Sequence, residues 1–270
     1  MPAPWWGPTT VPVGTSVYWQ IGPMSLWVQR LPAEWRIARE TIDEVPEPTV
    51  VQRRSSDCED LLGHASLSRF GVGGIDEHLI VQPALADRPV VSTPQRPFII
   101  PAGEEVTLYI GSPLWLQLLV GPKRALLEDV PVLQPPDTWF GPNTQVGEIC
   151  YASRSFCRLQ PEGLNPQPHR VITSVLVQNH ASSALYLDRI QLPVPYLSLF
   201  MDPATLDLWT NDVILERVEG EGLDPLRITS GPPAAVPSAT AVAPPRKHTS
   251  GNIMVRAFAT LFSEKQAARE

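Results

Sequence analysis

Two short acidic stretches hold the residue types best suited to chemistry in this chain. Asp57, Cys58, Glu59, Asp60 and His64 lie close together, and Asp76, Glu77 and His78 follow. A divalent metal is held by convergent oxygen, nitrogen and sulfur donors. Asp57, Cys58, His64 and His78 are therefore the candidate metal ligands. They converge only if the segment that carries them folds back on itself. A solvated acidic loop with a chance cysteine accounts for the same residues more simply.

Other catalytic signatures are missing or wrongly spaced. There is no GxSxG elbow, Walker loop, HExxH or CxxC. GHASLS (Gly63 to Ser68) has the residue types of a hydrolase without the spacing. FGVGG (Phe70 to Gly74) has the glycines of a phosphate loop but no following lysine, and reads as a hinge. No catalytic residue and no cofactor is assigned. The eight tryptophans suggest a stacking surface for a sugar or another ligand. Trp19, Trp27, Trp115 and Trp209 fall in β-like runs and read as core. Trp5 and Trp6, near the N-terminus, are expected to cover an edge or meet a partner.

The elements that must position these groups are strands. Proline supplies 31 of 270 residues, which disfavours long helices and punctuates strands at their ends. It falls between β-like runs such as SVYWQIGPMSLWVQR, with turns expected at Gly22-Pro23, Pro101-Ala102-Gly103, Gly111-Ser112-Pro113 and near Asn179 to Ser183. This predicts an all-β fold of sandwich-like units. The phrase WWGPTT at Trp5 returns as WFGPNT at Trp139, and a Val-Gly pair leads into a strand after each. The repeat predicts two related β-units, residues 1–125 and 126–270.

Three segments depart from this pattern. Residues 41–78 read as an irregular excursion that contains the acidic stretches. Residues 229–251 are rich in proline, alanine and serine and are expected to be a mobile loop. Residues 252–270 carry Ile253, Met254, Ala257, Phe258, Leu261 and Phe262 at helical spacing, which predicts a short C-terminal helix. Its start reads equally as a strand, because Ile253, Val255 and Ala257 alternate. An apolar stripe needs something to cover it. Ile253, Met254, Phe258, Leu261 and Phe262 are therefore the candidate partner-binding residues, docking either on the chain's own sandwich or in an external groove.

Composition narrows the function. A net charge of −7 and a pI near 5.3 argue against a nucleic-acid surface, which needs concentrated lysine and arginine. No apolar run is long enough to span a membrane as a helix, and the N-terminus lacks the features of a secretory signal. Three cysteines without framework spacing point to reduced thiols in a cytoplasm. If Cys150 and Cys157 share one strand, their odd separation puts them on opposite faces.

GEICYASRSFCRL (Gly147 to Leu159), RVITSVLVQN, LDRIQLPVPYLSLF and the run from Asp87 to Leu118 resemble an uncharacterised prokaryotic domain-of-unknown-function family. The resemblance covers most of the chain except the Pro-rich loop. It implies an all-β fold and no established activity. It also implies a protein partner, because genes of that family can lie beside those of small mechanosensitive channels. The combined expectation is a non-enzymatic, cytoplasmic binding or regulatory protein that partners a membrane channel. The alternatives are a metal-dependent enzyme using the 57–78 loop and a carbohydrate-binding module using exposed tryptophans.

Overall fold

The computed structural model describes residues 4–42, 52–57, 61–64, 66–74, 77–141, 143–155, 157–161, 167–219, 224–248 and 253–255. At 52–57, 224–225 and 253–255 the description covers the backbone alone.

The first strands are β1 (Gly7–Thr10), β2 (Thr15–Ile21), β3 (Met24–Leu31), β4 (Glu34–Thr41), β5 (Gln52–Asp57), β6 (Ser68–Gly71), β7 (His78–Ala84) and β8 (Val90–Pro94). Then come β9 (Phe98–Ile100), β10 (Glu105–Pro113), β11 (Trp115–Val120), β12 (Ala125–Pro131), β13 (Asp137–Phe140), β14 (Glu148–Ser155), β15 (Arg170–Asn179) and β16 (Leu185–Leu187). The last are β17 (Ile190–Leu192), β18 (Leu199–Met201), β19 (Leu208–Thr210), β20 (Val213–Arg217), β21 (Asp224–Ile228), β22 (Thr240–Ala243) and β23 (Ile253–Val255). The protein is all-β; helix among the described residues is confined to short 3-10 turns such as Leu61–Gly63 and Val194–Tyr196. No helix among them is long and apolar enough to cross a membrane.

Alternation explains why these runs become strands. In β2, Val17, Trp19 and Ile21 point into the core, while Tyr18 and Gln20 are only half-buried. The Gly22-Pro23 turn returns the chain antiparallel as β3, with Val17 opposite Val28 and Ile21 opposite Met24. Gly22 sits at a φ of +53°, a left-handed conformation that glycine adopts without a steric penalty.

The strands assemble into a β5-β2-β3-β4-β6 sheet, a β1-β7-β11-β12 sheet, a β13-β14-β8-β17 sheet, a β9–β16 pair and an eight-stranded sheet. In the last, β15 is central. One edge pairs with β10 along all nine residues of that strand, and the other is shared in parallel by β19 and β20. One hydrophobic core joins the large sheets, from Val17 and Trp35 through Leu118 to Val175 and Leu215, in a sandwich-like arrangement.

The sheets mix strands from both halves of the chain. β10 pairs with β15, β8 with β14 and β17, and β9 with β16. The boundary read at 125/126 falls at the start of β12, inside its hairpin with β11. The two repeated phrases also take different places. Gly7-Pro8 opens β1, which pairs with β7, whereas Trp139-Phe140 ends β13 and Gly141 enters a hairpin to β14.

Even the glycines of the two phrases serve different purposes. Gly7 has a φ of +113° with open space beside it. At Gly141 a Cβ would stand 2.1 Å from the carbonyl oxygen of Val146, so that glycine permits close approach of two backbones. Similar words thus answer separate backbone demands, and no equivalence of the halves follows from them.

The Pro-rich stretch 229–251 is more than a loop, because it contains β22, which pairs with β18. Arg246 then ties it down, donating to both carboxylate oxygens of Asp129 (2.7 Å for one) and to the carbonyl of Leu85 (2.5 Å). The start of the C-terminal segment, open between helix and strand in the sequence, is the strand β23 beside β21. The expected helix after it lies outside the described residues.

Candidate functional site

Trp5 and Trp6 lead into β1 at the edge of its sheet. Their rings meet edge to face, with centroids 5.2 Å apart and planes at 90°. That is a favoured geometry for aromatic pairs, because the positive edge of one ring meets the negative face of the other. Both indoles are partly buried against the core. With Gln167, Pro168, Thr205, Leu206, Asp207 and Leu208 they line a cleft of about 180 Å³.

Three separate parts of the chain build this cleft. Gln167 and Pro168 run into β15, and Leu208 begins β19, which lies beside β15 with Val171 opposite Leu208. The turn between β18 and β19 supplies the polar wall. Asp202 organises it: its carboxylate accepts from the Ala204 amide (2.9 Å) and the Thr205 hydroxyl (3.3 Å), and its carbonyl accepts from the Leu206 amide (2.8 Å). The amide of Asp202 in turn donates to the carbonyl of Asp207 (2.9 Å). These bonds hold Leu206 at a φ of +68°, a left-handed conformation that costs a non-glycine residue roughly 1–2 kcal/mol.

Asp207 is the reactive-looking group of the cleft. Burial pushes its carboxyl above the usual range, the nearby Asp202 carboxylate adds to that, and the Thr205 hydroxyl partly offsets it. A half-buried carboxylate beside two indoles can bind a complementary charge or accept from a hydroxyl.

His169 lies just behind Pro168, buried, and its Nδ1 has no hydrogen-bond partner among the described residues. Burial, aided by Arg170, lowers its pKa to about 4, so the ring is neutral near pH 7. It packs on the Gly22 turn and does not line the cleft.

The residues singled out in the sequence fall elsewhere. Asp57 ends β5 opposite Thr15, with its side chain outside the description, and Cys58 lies outside the described residues. His64 contacts the Trp27 ring, with centroids 4.6 Å apart, and its Nδ1 bonds the Glu40 carboxylate at 2.8 Å. His78 opens β7 opposite Thr10, in another sheet. Among the described residues no three His, Cys, Asp or Glu side chains group as a metal site. Ile253 and Met254 lie in β23 opposite Leu226 and Pro225, and Phe258, Leu261 and Phe262 are outside the described residues.

Of the cleft, sequence reasoning singled out Trp5 and Trp6 and missed Asp202, Thr205 and Asp207. The DPATLD stretch announces a turn through its Asp-Pro start and short polar residues. Nothing local announces that this turn meets the N-terminus.

The family model described as "Protein of unknown function (DUF432)" matches residues 5–263. That agrees with the resemblance seen in the β-runs. No curated protein and no solved structure matches the chain.

Proposed function

We propose, given that the chain belongs to the DUF432 family of proteins of unknown function, that it acts by binding a small ligand in the Trp5–Trp6 cleft. One observation carries the reading: two perpendicular indoles and the half-buried Asp207 face a single cleft built from distant parts of the chain. Rigid aromatic surface with a few placed polar groups is the composition of a recognition site. The neighbouring Asp202 is engaged in holding its own turn, so it supports binding geometry more than acid–base exchange.

The cleft joins the lead into β1 with the ends of β15 and β19, so occupancy links two sheets. That is a means by which binding could serve regulation of a protein partner in the cytoplasm, such as the mechanosensitive channel implied by the resemblance.

A thermal-shift screen of small metabolites against the wild type, Trp5→Ala and Asp207→Asn tests the reading. A compound that raises the wild-type melting temperature and loses its effect in both variants supports it. Compounds whose effect is the same in all three proteins place the binding elsewhere, and the reading fails.

A further inference from the structure

We infer that the ligand of this cleft is a compact alkylammonium cation. The inference rests on the binding reading above and adds the chemistry of what is bound.

Charge is the first argument. Among the described residues, the cleft lining includes Asp207 and no basic side chain. Besides burial, the described groups that act on the Asp207 carboxyl are the Thr205 hydroxyl and the Asp202 carboxylate, neither of them positive. Arg170, the nearest arginine in sequence to the lining, donates instead to the Arg154 carbonyl (3.2 Å) and the Ser153 hydroxyl (3.2 Å). A carboxylate withdrawn from water without an opposite charge is unfavourable, and an entering cation relieves that cost. A neutral sugar supplies hydroxyls but no charge.

The indoles are the second argument. Tryptophan is the aromatic side chain that best attracts a cation to its face, and alkylated ammonium groups are held by aromatic corners with a nearby carboxylate. In the perpendicular pair one ring turns its edge to the other, so the edge-on ring keeps its own faces clear of its neighbour.

Size is the third. About 180 Å³ is well below the roughly 300–1,000 Å³ of sites that enclose a drug-sized molecule, which fits a headgroup of a few heavy atoms.

The test is calorimetric titration of the whole chain, at constant ionic strength, with tetramethylammonium, its neutral near-isostere tert-butanol, and methyl glucoside. Wild type, Trp5→Phe, Trp5→Ala and Asp207→Asn are compared. The inference expects saturable binding of tetramethylammonium and at least tenfold weaker binding of tert-butanol. It also expects about a tenfold loss in Trp5→Ala and in Asp207→Asn, with smaller loss in Trp5→Phe. Trp5→Phe keeps an aromatic face and Asp207→Asn keeps the shape, so a folding defect in Trp5→Ala leaves the test intact. If methyl glucoside binds in a Trp5-dependent way and tetramethylammonium does not, the cation inference falls while the binding reading stands. If tetramethylammonium binds equally well to wild type and Asp207→Asn, the inference also falls. If no probe binds the wild type, the cation inference is overturned; the metabolite screen above then judges the binding reading separately.

Discussion

A Cβ placed on Gly22 would stand 2.3 Å from Nδ1 of His169, which puts these two residues in direct contact between the β2–β3 turn and the start of β15. Gly22→Ala therefore meets two penalties, a left-handed φ and a clash with a buried ring. The expected cost is roughly 2–4 kcal/mol, from backbone strain plus overpacking. Urea denaturation of Gly22→Ala, His169→Ala and the double variant measures it. The double variant should be less destabilised than the sum of the singles; strict additivity would show that the contact is not the cause.

The burial of His169 predicts a pH dependence. Burial first and Arg170 second hold His169 at about 4 in the folded chain, against about 6.5 when unfolded. Between these values the unfolded chain binds a proton that the folded chain refuses. Stability from this residue is full above about pH 6.5 and declines as pH falls to about 4, by roughly 3 kcal/mol in all. Denaturation at pH 7.5 and 4.5 should show a larger loss for the wild type than for His169→Gln. Equal losses would clear His169 of the effect.

Cys150 and Cys157 are buried free thiols, and burial pushes Cys150 up to about 11 and raises Cys157 as well. Thiolate is the reactive form, so both should resist alkylation in the native protein. In a Cys58→Ser background, a thiol reagent at pH 8 should modify them slowly until denaturant is added, then quickly. Fast labelling of native protein would contradict their burial.

Arg246 fastens the Pro-rich stretch through Asp129 and Leu85. Arg246→Ala should cost about 1.5–3 kcal/mol, the range for hydrogen bonds to charged groups. It should also make 229–248 a preferred site of limited proteolysis. An unchanged cleavage pattern would mean that β22 holds the stretch without Arg246.

Local features of the fold were legible because they are written in neighbouring residues. The turns at Gly22-Pro23 and Pro101-Ala102-Gly103, and the end of β15 at Asn179, fall where glycine, proline and small polar residues placed them. The Gly111-Ser112-Pro113 turn did not materialise: β10 runs through it to Pro113, paired with β15 up to Arg170. Strand partners were not legible, because β-pairing depends on side-chain fit across long sequence separations. The cleft suffered most from this. Trp5 stands out for its chemistry, but no local pattern joins it to the Asp202–Asp207 turn some two hundred residues away.

The mixing of both halves within the sheets sets a timetable for the chain's birth. The β2–β3–β4 meander can close as soon as it is made, since its partners are consecutive. By contrast, β10 must wait for β15, which at ribosomal speeds of about 5–20 residues per second is a delay on the order of 10 s. During that interval a nine-residue strand with buried positions such as Leu108 and Ile110 has an unpaired edge. A nascent chain stalled between β12 and β15 therefore presents an unpaired β10 edge, the kind of surface through which chains aggregate and which chaperones shield.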